Sequence, residues 1–188
     1  MTSLDSIYRK ENGQVLVEIK LSSPVQIFNT FDPAPFYERE LDHDAVQYII
    51  DAVRDFSLKT QIRIIVYLPA DIAGTQDAQK IPRAISNYFR YRVMVQERKF
   101  RQKWVYGKFT ILVGISFLII AMSAGRIIAA TFHNSTFAQL IATTLDVAGW
   151  VAMWEPITVH LYQLWPIVKQ KKFYEKISRM EIDVRPYS

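Results

Sequence analysis

The sequence predicts an α/β protein in two parts: a small cytoplasmic α/β domain with a short, mostly parallel sheet, and a two-helix transmembrane hairpin. Three observations lead there. Two apolar runs, Phe109–Ile128 and Leu140–Val168, are each long enough to cross a hydrocarbon core of roughly 30 Å at about 1.5 Å per residue. The first hundred residues alternate strand-period and helix-period patterns. Mean hydropathy over the 188 residues is only +0.03, because a charged N-terminal half offsets the apolar C-terminal half.

The elements follow in order. The start, MTSLDSIYRKENG, is polar and lacks an apolar h-region, so no cleavable signal peptide is expected. Apart from Leu16, Gln14–Leu21 alternates apolar Val15, Val17, Ile19 and Leu21 with polar Gln14, Glu18 and Lys20, which reads as a strand ended by Ser22–Pro24. Val25–Leu41 carries Pro33 and Pro35 and reads as an ordered loop, tethered by Phe28, Phe31 and Phe36. Asp42 is a good N-cap, with Asp44 favourable in the first turn. Behind it Ala45, Tyr48, Ile49, Ala52, Val53 and Phe56 recur at helical spacing. Gln61–Leu68 is a second strand, stopped by Pro69. Strand–helix–strand order favours a parallel pair with a right-handed crossover. Ala70–Asp77 reads as a turn; a helix then starts near Gln76–Ala78 or just after Pro82 and runs toward the first span. After the second span Pro166 starts a basic helix, about Ile167–Ser178. Met180–Val184 alternates and Pro186 ends it, a third short strand returning to the sheet; the alternative is a frayed tail. The expected organisation is 1–105 as the α/β domain with a basic juxtamembrane helix, 106–168 as the hairpin, and 169–188 as a basic helix with the C-terminal strand.

The net charge of +5 conceals an uneven distribution. Residues 1–82 hold eight Lys/Arg and twelve Asp/Glu, whereas 83–108 hold eight basic residues and a single acid, Glu97. Lys169, Lys171, Lys172, Lys176 and Arg179 follow the second run, opposed by Glu175, and the loop 129–139 has neither Lys nor Arg. The positive-inside rule therefore puts both termini in the cytoplasm and the loop outside. Trp104, Tyr106, Tyr162 and Trp165 stand where an inner aromatic belt belongs. Arg98, Lys99, Arg101, Lys103, Lys108, Lys169, Lys171 and Lys172 are expected at anionic lipid headgroups, at about 1 kcal/mol per residue near the surface. Basic clusters also occur in nucleic-acid binders, but these flank spans, and no nucleic acid is expected.

Four ionisable groups lie inside the runs: Arg126, Asp146, Glu155 and His160. Charges at membrane depth usually face protein or water. Counted from Lys108 and Trp165, Arg126 and Asp146 reach similar depth, which predicts a salt bridge, with snorkelling of Arg126 as the alternative. Glu155 precedes Pro156, where a kink is expected. At 100° per residue Glu155 lies about 180° from Asp146 and His160 about 40° from it, so the helix carries polar groups on opposite faces. One span is expected to cover only one of them. Glu155 then needs a second subunit, a water-filled pathway or protonation. Ala121, Gly125 and Ala129, with Ala148, Gly149 and Ala152, offer small-residue packing faces.

Catalytic signatures are thin. His43, His133 and His160 form no HExxH, and six scattered glycines form no phosphate-binding loop. Without cysteine there is no disulfide or thiolate metal site. Asp42-His43-Asp44 reads as a cap rather than a metal site, and no cofactor is expected. The acidic stretch Asp32, Glu38, Glu40, Asp42 and Asp44 reads as a solvated loop, able to lie against the basic juxtamembrane helix.

Two segments, FDPAPFYERELDHDAVQYI and GWVAMWEPITVHLYQLWPIVKQKKFYEKI, resemble an uncharacterised family of small bacterial two-span membrane proteins. In that family a DPxPFxERxLD stretch precedes a soluble helix and a GWVAxWxP…LYxxWP stretch forms the second span. The likeness covers about two thirds of the chain and implies a bacterial inner membrane, with no activity to carry over. Relatives often have a basic residue before the proline, from which Glu155 departs. The resulting expectation is a non-enzymatic oligomeric scaffold or accessory subunit, partnered by membrane lipids and by itself or another membrane protein. The alternative is a homo-oligomeric channel or transporter using Glu155, Asp146 and His160. An enzyme acting on lipid comes third.

Overall fold

The computed structural model describes residues 8–29, 32 and 40–187. The chain forms two compact units, Met1–Val95 with Gln170–Ser188, and Gln96–Lys169. The first is mixed α/β and the second is helical.

The first unit holds a four-stranded sheet in the order β1 (Lys10–Glu11), β2 (Gln14–Lys20), β3 (Ile62–Pro69) and β4 (Glu181–Tyr187). β1 and β2 form an antiparallel hairpin absent from the sequence reading. Its turn is Asn12-Gly13, with φ of 51° and 79°. That left-handed pair matches the twist of the flanking strands and favours Asn-Gly. β2 pairs parallel with β3, and β3 with β4.

Between β2 and β3, Pro24–Ile27 makes a 3₁₀ turn closed by a Ser23–Gln26 capping box. A bridge then joins Phe28 to Leu41, both buried. Phe28 is thus tethered to the core as expected, while Phe31, Phe36 and Glu38 lie outside the described residues. Asp42 Oδ1 accepts from the backbone N–H of Asp44 and Ala45 at 2.9 and 3.3 Å, so the Asp42-His43-Asp44 carboxylate is occupied as a cap. α1 (His43–Arg54) buries Val46, Ile49, Ile50, Ala52 and Val53. Tyr48, expected on that face, is exposed and donates to the Glu18 carbonyl.

Ala70–Ala73 forms a short helix, α2, where a turn was expected. Thr75 follows and caps the next helix through Ala78 N–H. That helix, α3 (Gln76–Thr131), is continuous through Pro82 and on into the second unit. Its Ala78, Ile81, Ala84, Ile85 and Phe89 join Tyr174 and Ile177 of α6 (Leu164–Ser178) in the core.

These side chains meet one face of the sheet: Val15, Val17 and Ile19 of β2, Ile64, Val66 and Leu68 of β3, and Ile182 of β4. The other face carries a charged lattice. Arg63 pairs with Glu181 and Asp183, and Arg185 with Glu11 and Asp183. The tail therefore returns to the sheet as a third parallel strand. Pro186 does not end it: β4 continues to Tyr187, with Pro186 opposite Leu68. An edge strand tolerates proline because one of its sides needs no N–H donor.

In the second unit α3 is followed by a tight turn and then α4 (Thr136–Ala152), α5 (Trp154–Thr158), a π-helical turn at Val159–Gln163, and the start of α6. The two helical stretches are long and apolar enough to cross a membrane. The connection is shorter than the expected 129–139. α3 runs to Thr131, and Ser135 caps α4 by accepting from Ala138 N–H.

Candidate functional site in the helical hairpin

Glycines set the spacing of the hairpin. A Cβ placed on Gly107 would come 2.8 Å from His160 Cε1 and 3.0 Å from Val159 Cγ1. On Gly114 it would meet the Ala152 carbonyl at 3.1 Å and Pro156 Cγ at 3.2 Å. Gly149 lies against Leu118 and Ala121, and Gly125 against Ala142. The small-residue faces legible at Ala121, Gly125 and Gly149 thus meet across the hairpin; Gly107 and Gly114 extend the line toward its open end.

This register overturns the expected Arg126–Asp146 salt bridge. Gly125 opposite Ala142 sets Arg126 near the level of Ile141, whereas Gly149 opposite Leu118 and Ala121 sets Asp146 near the level of Ala121. The offset is about five residues, or about 7 Å along the axis. Arg126 is exposed, and among the described residues no ion pair joins it to Asp146. The two inner anchors are not level: Gly107 faces Val159 and His160, so Lys108 is level with that turn and not with Trp165.

Glu155 sits where the second helix is interrupted. Pro156 has no N–H, so the Ala152 carbonyl loses its regular helical donor. α4 ends there, and α5 begins after Met153. Irregularity continues in the π-helical turn, a feature often found at functional sites. Glu155 does not face away from the first helix, as the wheel implied. Tyr106 of α3 donates its hydroxyl to Glu155 Oε1 at 3.2 Å. Both border an apolar groove of about 410 Å³, walled by Phe109, Val113, Phe117 and Pro156 over Gly114. The tyrosine was legible only as a belt residue, since its reach of more than a turn depends on the interhelical register.

His160 is half-buried on the same hairpin. Its Nδ1 donates to the Pro156 carbonyl at 2.9 Å, and its ring lies edge-on to Trp104 with centroids 5.6 Å apart. The first helix therefore touches both the His160 and the Glu155 sides of the second, which corrects the one-sided expectation. Among the described residues no hydrogen bond or ion pair joins Asp146, Glu155 and His160 to one another.

The basic residues expected at headgroups have distinct surroundings. Lys103 donates to Gln163 at 2.8 Å, Lys108 lies over Trp104, and Lys169 lies over Trp165. Arg98, Lys99 and Arg101 are exposed. Lys171 pairs with Glu175 at 3.5 Å. Lys172 belongs to the α/β unit, on α6.

No protein-family model matches the chain, and no curated protein or solved structure matches it.

Proposed function

We propose that the chain is an integral protein of a bacterial cytoplasmic membrane, with both termini and the α/β unit on the cytoplasmic side. On this reading it acts without catalysis, as an oligomeric scaffold or as the membrane-bound accessory subunit of a larger complex. The α/β unit is its interaction domain. One observation carries the membrane reading: the hairpin is built inside out. Its helix–helix seam is glycine and alanine, while Phe109, Leu112, Ile119, Ile120, Leu140, Trp150, Val151 and Leu161 are exposed at 59–66%. Large apolar side chains pointing outward around a small-residue seam suit lipid or a neighbouring helix. Lys/Arg asymmetry sets the orientation.

The groove beside Glu155 supports assembly. An exposed carboxylate in an apolar wall is costly in lipid, and a neighbouring helix bearing a donor offsets that cost. The channel alternative draws less support, because Asp146, Glu155 and His160 occupy different levels of the hairpin instead of converging.

Single cysteines at Ser3, Ser135 and Ser188 test the topology in intact cells with a membrane-impermeant thiol reagent. Ser135→Cys is expected to label and the terminal variants to stay protected until the membrane is permeabilised. Labelling of either terminus in intact cells refutes the orientation. Extraction of the protein by carbonate without detergent refutes integral insertion.

A further inference from the structure

The α/β unit holds a second concavity, of about 560 Å³, at the end of the sheet where the parallel strands begin. Gln14 opens β2 and Ile62 opens β3 at its floor; the loop Leu58–Gln61 and the last turns of α6 form its walls. Four cations line it, Lys59, Lys172, Lys176 and Arg179, against one carboxylate, Glu175. That carboxylate already pairs with Lys171 outside the basin.

Five cations elsewhere in the unit are neutralised by carboxylates. Arg9, Arg54, Arg63, Lys80 and Arg185 each have a carboxylate within 4.0 Å. Among the described residues none of Lys59, Lys172, Lys176 and Arg179 has one. Lys176 instead donates to the Ser57 carbonyl at 2.8 Å, and burial pushes its ammonium below the ordinary lysine range. Four like charges around one hollow repel one another unless an anion joins them. The C-terminal end of α6 opposes an anion with roughly half a charge. Lys172 and Lys176 on its last turns and Arg179 just beyond its end outweigh that term.

We propose that this basin binds a phosphorylated anion of nucleotide size, either a soluble phosphate ester or the headgroup of an anionic lipid. Arg179 offers a planar fork for two phosphate oxygens, while Lys59 and Lys172 add point charges. Thr60, Gln14 and Gln61 supply neutral hydrogen-bonding groups, and Leu58 and Met180 an apolar wall for the remainder of the ligand. The proposal is independent of the hairpin's role.

The test uses the full chain in neutral detergent and isothermal titration calorimetry. One arm titrates inorganic tripolyphosphate. The other titrates protein into mixed micelles containing a short-chain phosphatidic acid. Saturable binding of tripolyphosphate identifies a soluble ligand class; saturation only with the lipid identifies a headgroup. In either case Lys172→Ala with Arg179→Ala is expected to weaken binding at least tenfold, and Lys59→Ala to weaken it measurably. Arg83→Ala with Arg90→Ala, which removes the same charge elsewhere in the unit, is expected to leave binding within twofold. Both double variants change exposed side chains, and unchanged melting temperatures verify folding. No saturable binding in either arm overturns the proposal, as does an equal loss in the control variant.

Discussion

Tyr106 donates its hydroxyl to the Glu155 carboxylate across the two helices of the hairpin, over 3.2 Å. The contact depends on the break at Pro156, which ends α4 and starts a new helical segment around the carboxylate. It fixes which side of the hairpin bears the acid, and hence which side an assembly partner would approach.

The first prediction concerns that pair. Tyr106→Phe and Glu155→Gln are each expected to lower the melting temperature in mild detergent. Their double variant is expected to fall by less than the two losses together, since the pair acts as a unit. If the groove is the assembly surface, Glu155→Ala also shifts the mass in native membranes toward monomer by crosslinking. Additive losses refute the coupling; a strictly monomeric wild type in both membrane and detergent refutes the assembly.

A second prediction separates two glycines that look equivalent. A Cβ on Gly149 would come 2.9 Å from Leu118 Cδ1, the end of a flexible side chain. On Gly125 it would come 3.1 Å from the Ala142 carbonyl oxygen, which is backbone. A leucine methyl turns aside by a rotamer change, whereas the backbone yields only if the helices separate. Gly125→Ala is therefore expected to destabilise the hairpin more than Gly149→Ala, within the 1–3 kcal/mol typical of overpacking. Unfolding titrations in mixed detergent measure the order; the reverse order refutes this contact line.

The third prediction rests on the returning tail. Ile182 is buried opposite Ile64, and Arg63 bonds to both Glu181 and Asp183. Ile182→Ala is expected to cost about 2–4 kcal/mol. Amide exchange along Glu181–Val184 is expected to be as slow as in β3. Fast exchange throughout that segment rejects the pairing.

Period and capping made much of this fold legible. The two inner strands, the Asp42 cap and the apolar spans each declare themselves within a few consecutive residues. Asn12-Gly13 carried an equally local hairpin signal, but a two-residue strand such as Lys10–Glu11 has no alternation to draw attention to it. Pro186 reads as a stop in the sequence, which does not reveal that β4 is an edge strand. The hairpin's polar contacts were harder to foresee. A helical wheel gives angles within one helix but not the offset between two helices, so Arg126 and Asp146 were placed level and Tyr106 was not placed beside Glu155. The basic basin depends on still longer connections, joining Gln14, Lys59 and Arg179 only after the tail has returned to the sheet.

The last prediction follows one tyrosine contact and one carboxylate–guanidinium contact in the α/β unit through pH. Tyr8 donates to Asp55 Oδ2 at 2.9 Å and meets the Phe56 ring edge-on. Burial, then the bond and charge of Asp55, push its phenol from 10.0 up to about 12. The folded value is raised, so this contribution is complete below pH 10 and lost as pH climbs through about 12. Glu11 runs the opposite way. Its bonds to Arg185, at 2.9 and 3.4 Å, hold its carboxyl below the ordinary value of 4.5. The folded value is depressed, so this contribution is complete above 4.5 and lost as pH falls through the lowered value. Glu11→Gln is expected to flatten the acid limb of the stability profile without moving the alkaline one, and Tyr8→Phe to do the reverse. Chemical denaturation of the full chain in detergent across pH, with tyrosinate absorbance as a second readout, measures both limbs. An acid limb unchanged by Glu11→Gln, or a Tyr8 phenol that ionises near 10 in the folded protein, contradicts the assignment.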